Sequence, residues 1–189
     1  STQKWTLFPY TTLFRSIDSR PNEIMFGLNM IVNKGKTVFI GDTSVHENPT
    51  AKQLAEIAIS SARVVRLFGF DPKVAFVSHS TFGQPATSQT KHIRDAVEIL
   101  QDKKVDFQFD GDMQPDVALN EEYKELYSFS GIVGNANVLI MPGQHSAAIS
   151  YKMMKELGGA KVIGPFLIGL GQPRSEEHTS ELQSPLDIS

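Results

Sequence analysis

The spacing of apolar positions changes several times along the chain, and those changes predict its elements. Ile24 to Val32 is an apolar run rich in branched side chains, and Thr37 to Ile40 is a second. Asn33-Lys34-Gly35 between them has hairpin-turn chemistry, since Asn and Gly accept the positive φ of a tight turn. The period then becomes helical. Leu54, Ile57, Ala58, Ser61, Val65 and Phe68 mark the buried face of a predicted helix, and Gly69 stops it. At its start Asn48 or Thr50 can cap, Pro49 suits the first turn, and Thr50 with Gln53 has capping-box spacing.

Lys73 to Ser78 reads as a short buried strand, followed by the polar loop Ser78-His79-Ser80-Thr81-Phe82-Gly83. A helix starting near Thr87 or Ser88 buries Ile93, Ala96, Val97 and Leu100. Val105 to Phe109 is a further strand, ending in Asp110-Gly111-Asp112, and short helices are expected over 114–119 and 120–127. Val138 to Met141 is a strand stopped by Pro142-Gly143. Helix 145–157 is expected to turn Ile149, Met153 and Leu157 inward and to end at Gly158-Gly159. Val162 to Leu170 is a final strand, broken by Gly164-Pro165. Strands alternating with helices predict an α/β domain whose mainly parallel sheet is sandwiched by helices. Ligands of such sheets lie beyond the carboxyl ends of the strands. The loops Ser78–Gly83, Asp110–Asp116 and Pro142–Ser146 are therefore expected to converge on one rim.

The two ends do not fit this pattern. Residues 6–16 resemble the in-frame translation of a short-read sequencing adapter, and residues 174–184 that of the opposite adapter. We therefore read 1–16 and 174–189 as adapter-derived tails and 17–173 as a partial domain cut at both ends. This reading removes Trp5, the one tryptophan, and Phe8, Tyr10 and Phe14 from any packing argument.

The 189 residues carry a formal net charge of −3 and no cysteine. A mild acidic excess gives no electrostatic reason to expect nucleic acid or an anionic membrane as partner. Without cysteine there is no disulfide framework, thiolate metal site or cysteine nucleophile. No apolar run approaches the roughly 20 residues of a membrane span, and Ser1-Thr2-Gln3-Lys4 does not open a secretory signal. The expectation is a cytoplasmic globular protein.

Two segments carry candidate chemistry. Ser78, Ser80, Thr81 and Gly83 offer hydroxyls and amides shortly before a helix start, which suits phosphate or another anion. The same segment also reads as an ordinary β-to-α loop rich in turn formers. No Walker-type Gly-Lys-Ser/Thr, Gly-x-Gly-x-x-Gly or Gly-x-Ser-x-Gly element accompanies it. Asp110, Asp112 and Asp116 supply oxygens for a divalent cation, or cap the helix that follows; capping is the favoured reading. His46, His79, His92 and His145 lack metal-ligand spacing. No metal site and no catalytic residue is assigned within the chain.

Several stretches in order resemble one family. Asp42 to Ala55 is similar to the Asp-x-x-Val-x-x-x-Pro-Thr-Ala-x-Gln-Leu-Ala signature of phosphate acetyl- and butyryltransferase domains. Pro72-Lys73-Val74-Ala75 with Ser78-His79-Ser80, Asp110 to Asp116, Ala136 to Pro142, and Gly164-Pro165 resemble later segments of the same family. The resemblance implies a phosphotransacetylase-like fold of the isocitrate/isopropylmalate dehydrogenase type, here truncated. Phe26-Gly27-Leu28-Asn29 and the His in Ser-His-Ser lean toward the C-terminal domain of NADP-dependent malic enzymes. That branch implies a regulatory and oligomerisation module responsive to acetyl-CoA. Its parent would convert malate to pyruvate and CO2 with NADP and Mg2+ or Mn2+, bound outside this chain. The resemblance further implies weak phosphate or acetyl-CoA binding at Ser78, Ser80, Thr81, Gly83, Asp110 and Asp116, and a homo-oligomer. The alternative is a phosphate acetyltransferase moving acetyl between CoA and phosphate. Its Ser-Arg-Gly segment would follow the strand matching 164–173, where Arg174-Ser175 are adapter-like. Gln144-His145-Ser146 also departs from the Asn-Leu-Asp often found there. By itself the segment is expected to show no turnover in either chemistry.

Overall fold

The computed structural model describes residues 23–42 and 44–170; both adapter-like tails, 1–16 and 174–189, lie wholly outside the described residues, as do 17–22, Thr43 and Gly171–Pro173. Six strands form one sheet: β1 (Phe26–Asn33), β2 (Lys36–Gly41), β3 (Lys73–Val77), β4 (Gln108–Met113), β5 (Val138–Ile140) and β6 (Lys161–Ile168). Their order is β4-β3-β5-β2-β1-β6. The β2–β5, β3–β5 and β3–β4 pairs are parallel, whereas β1 pairs antiparallel with both β2 and β6. The sheet is thus mixed, with a parallel half and an antiparallel half. The hairpin forms where the sequence predicts, but Lys34 at φ 46°, not Asn33, shares the positive φ with Gly35 at φ 77°, and Asn33 remains in β1.

Helices α1 (Ala51–Leu67) and α2 (Ser88–Lys103) cover one face. On the other lie α3 (Pro115–Leu119), α4 (Glu121–Glu125) and α5 (Gln144–Gly158). Alternation along the strands feeds the two cores. Phe26 and Leu28 of β1 face α1 and α2 with Phe39 and Phe76, while Ile31 and Ile40 face the opposite layer with Leu139 and Ala147. The predicted stripe of α2, Ile93, Ala96, Val97 and Leu100, is buried.

Both long helices of the first layer begin with a capping box, Thr50 with Gln53 and Thr87 with Thr90. Thr50, not Asn48, is therefore the cap of α1, and Pro49 precedes the helix instead of sitting in its first turn. Thr50→Ala is expected to lower the unfolding free energy by about 1 kcal/mol, read from the denaturant midpoint.

Four expectations need correction. The fourth strand in chain order spans Gln108–Met113, not Val105–Phe109, so Asp110-Gly111-Asp112 belongs to the sheet. Pairing with β3 continues through Ala75↔Asp110 and Phe76↔Gly111. Gly111, at φ 154°, permits this because a Cβ there would lie 2.7 Å from Phe76 Cβ. Gly164-Pro165 does not break the last strand. β6 is an edge strand, where proline removes no ladder donor, and its register shift falls opposite Leu28/Met30. Ile149, Met153 and Leu157 of α5 point outward, at 56%, 54% and 83% exposure. The small Ala147, with Tyr151 and Met154, meets the sheet instead. Phe68 is partly exposed at the C-cap of α1, stacked between Phe39 and Phe166 at 5.7 and 5.2 Å.

Candidate functional site at the carboxyl rim of the parallel strands

The parallel half of the sheet dictates where a site can form. Registers Gly41↔Ile140, Phe76↔Ile140 and Phe76↔Gly111 bring the carboxyl ends of β2, β3, β4 and β5 level. The loops leaving them share one rim and border a cleft of about 750 Å3. Val77, Ile93 and Met141 contribute apolar wall, while Thr50, Ser78, His79 and Ser146 contribute polar groups. This volume falls within the range of small-molecule sites.

Two of the three loops expected to converge are bound tightly to each other. Ser78 N donates to Met113 O at 2.9 Å, and Phe82 N donates to Asp112 O at 2.6 Å. Gln114 N donates to Thr81 Oγ1 at 3.2 Å. The centre of this staple is the Asp112 carboxylate, which is fully buried. It accepts hydrogen bonds from Ser80 Oγ and, at 3.0 Å, from Gly83 N, and Arg94 approaches it at 3.8 Å. A buried carboxylate needs such partners, and three are present. Ser80 and Thr81 therefore sit behind the cleft wall, with Ser78 Oγ 3.2 Å from Ser80 Oγ.

The third side of the rim comes from β2 and α5. Asp42, at φ 51° and almost fully buried, accepts from Val45 N at 3.0 Å and His46 N at 2.9 Å. Its second oxygen also lies 2.5 Å from His46 Nδ1. His46 O in turn accepts from Gln144 N at 2.8 Å, joining this loop to the start of α5. Gly143 makes that junction possible for steric reasons: a Cβ would lie 2.2 Å from Glu47 O. Gly143→Ala is expected to separate loop 42–50 from α5, and loss of protection at the Gln144 amide, the donor to His46 O, in hydrogen exchange would show it. The first turn of α5 has no side-chain cap, so its amide donors are not consumed by one.

The remaining carboxylates serve the backbone. Asp110 accepts from Gly111 N at 2.8 Å and Gly131 N at 2.7 Å, fastening segment 129–133 beside β4. Asp116 Oδ1 accepts from Val117 N at 2.9 Å in the first turn of α3. Nearby, burial pushes the Lys124 ammonium below its usual pKa, with Asp110 opposing the shift and Lys73 adding to it. Lys124 Nζ donates to Gly134 O at 3.1 Å. Among the described residues, no group of three or more His, Asp or Glu is arranged to hold a metal ion.

The sequence profile of the phosphate acetyl/butaryl transferase family matches residues 11–180. The chain belongs to this family. The match runs past 17–173 by a few residues at each end.

Curated relatives divide between two kinds of protein. An NADP-dependent malic enzyme of Rhizobium meliloti is 46% identical over 156 residues, covering 82% of this chain and 20% of the relative. A phosphate acetyltransferase of Treponema pallidum is 41% identical over 147 residues, covering 76% of this chain and 44% of the relative. Among solved structures, a phosphotransacetylase from Streptococcus pyogenes superposes with TM-score 0.77 at 32% identity, covering 83% of this chain and 49% of that one. The chain thus spans a fifth of the malic enzyme and about half of the phosphotransacetylase.

Within this acyltransferase-family domain, the six candidate ligand residues separate spatially. Ser78 lines the cleft; Ser80, Thr81 and Gly83 hold its loop through Asp112 and Gln114; Asp110 and Asp116 bond to backbone amides. Sequence reasoning missed the Asp42–His46 pair and the part played by Arg94. The four-residue spacing of Asp42 and His46 was the available signal, since it allows one side chain to close back on the other. Arg94 gave none, because its partner Asp112 lies on another element.

Proposed function

We propose that this domain is the regulatory and oligomerisation part of an NADP-dependent malic enzyme that senses acetyl-CoA or another phosphate-bearing molecule at the rim. The observation that carries the reading is the 46% identity to a malic enzyme of which the chain covers one fifth. The parent would oxidatively decarboxylate malate in the cytoplasm, with NADP and Mg2+ or Mn2+ held by a region outside this chain. No residue described here is assigned to those cofactors.

The rim has suitable chemistry for the phosphate end of such an effector. The first turn of α5 borders the cleft through Ser146 and has no side-chain cap; Gln144 N is taken by His46 O, while Thr50, Ser78 and Ser146 add hydroxyl groups. The Asp112 staple holds the Ser78–Gly83 loop ready for the ligand, so little ordering remains to be done on binding. Asp110 and Asp116 would act at one remove, by fixing the segments on either side of that loop.

Sequencing the parent gene tests this assignment. A malate- and NADP-binding region encoded upstream in the same frame is expected. A short upstream region with Ser-Arg-Gly encoded downstream would contradict it and favour the acetyltransferase reading, which the Treponema relative supports.

The outward stripe of Ile149, Met153 and Leu157 supports a homo-oligomer, because three apolar side chains at helical spacing leave a contiguous patch in water. Met153→Lys is expected to shift the chain to monomer in sedimentation velocity without changing its circular dichroism. An unchanged sedimentation coefficient would exclude this face as the contact.

A further inference from the structure

The end of the sheet opposite the rim holds a second cavity, of about 510 Å3. It lies where β1 ends and where β2 and β5 begin, at the other end of the strands from the first cleft, although on β5 its Leu139 is two residues from Met141 of that cleft. Its walls are apolar, formed by Ile31, Val38, Leu119, Leu139 and Met154. Two cations stand at its mouth on the hairpin, Lys34 and Lys36, both exposed. No aspartate or glutamate lines it, and among the described residues no carboxylate pairs with either lysine.

Asn135, one of the lining residues, carries a buried side-chain oxygen without a hydrogen-bond partner behind the cavity surface. Its neighbour Asn137 is satisfied by contrast, accepting from Lys73 N at 2.8 Å and donating to Asp71 O at 2.8 Å. An amide oxygen left unpaired beside an apolar cavity is costly, and a donor brought in by a ligand removes that cost.

We propose that this cavity binds an amphipathic carboxylate: an apolar chain against Ile31, Leu119 and Met154, one N–H or O–H donor for Asn135 Oδ1, and an anionic head between Lys34 and Lys36. Each part of the ligand follows from one observed feature. The apolar volume accepts a chain but no charge, the orphaned oxygen accepts a donor but no second acceptor, and the unpaired lysines select an anion. The site is independent of the rim and of the reading proposed for it.

N-octanoylglycine has all three parts and serves as the probe, titrated calorimetrically into the full chain with octanoate as the variant lacking the N–H. Saturable one-to-one binding is expected, with octanoate weaker by about tenfold. Lys34→Glu combined with Lys36→Glu lies on the exposed hairpin and leaves the core untouched. It is expected to weaken both ligands by tenfold or more. Asn135→Leu is expected to remove the difference between the two ligands while octanoate still binds. Ser78→Ala, at the opposite rim, is expected to leave both affinities unchanged. Absence of saturable binding, or affinities unaffected by the lysine reversal, would overturn the proposal, as would equal affinity of the two ligands for the unaltered chain.

Discussion

Replacing Asp112 by alanine is expected to destabilise the domain by about 3 kcal/mol and to release the Ser78–Gly83 loop from β4. The carboxylate has no exposed surface and receives the Ser80 hydroxyl and the Gly83 amide. Alanine leaves both donors unpaired, at about 1–3 kcal/mol for each that stays buried. The Arg94 contribution is smaller, since its side chain is 31% exposed and water can replace the lost contact at 3.8 Å. Asp112→Asn keeps the shape and one acceptor oxygen, so its loss should be about half as large. Urea unfolding of both variants measures this, and a smaller loss for alanine than for asparagine would show that the carboxylate does not hold the loop.

Phe76→Ala is expected to cost about 4 kcal/mol, a large share of the 5–15 kcal/mol that typically separates folded from unfolded domains. Phe76 is fully buried on β3, between β4 and β5, and joins the core under α1 and α2. Its Cβ also occupies the place against which Gly111 packs without a side chain. Truncation opens a cavity where two central strand pairs meet, so the carboxyl rim should loosen together with the core. Phe76→Leu fills part of that space and should lose roughly half as much. Thermal unfolding compared at one pH checks both. Equal melting temperatures for the two variants would contradict the packing argument.

The layered fold was legible wherever a local signal and a tertiary need agreed. The hairpin at Lys34-Gly35, the Thr50–Gln53 capping box, the start of α2 near Thr87 and the α2 stripe are such cases, because turn chemistry, cap spacing and periodicity act within a few residues. The outward face of α5 was not legible. Its apolar residues repeat at helical spacing, but Ala147 lets the other face approach the sheet more closely, and sequence period alone does not choose between faces. The extent of β4 was hidden for a related reason: its Asp-Gly-Asp reads as a turn, and only pairing with β3 makes it a strand. At the rim, the convergence of loops followed from strand polarity. The assignment of these carboxylates to hydroxyl and amide donors depended on contacts between residues 21 and 32 positions apart, Asp110 with Gly131 and Ser80 with Asp112, which no spacing rule records.

An amide-resolved NMR titration of the full chain with acetyl-CoA tests the central proposal, ligand sensing at the carboxyl rim, most directly. Shifts confined to Asn48–Thr50, Ser78–Gly83 and Met141–Ser146, saturating together, are the expected result. Saturation that leaves these three segments unmoved, or that moves only residues at the opposite end of the sheet, would contradict it.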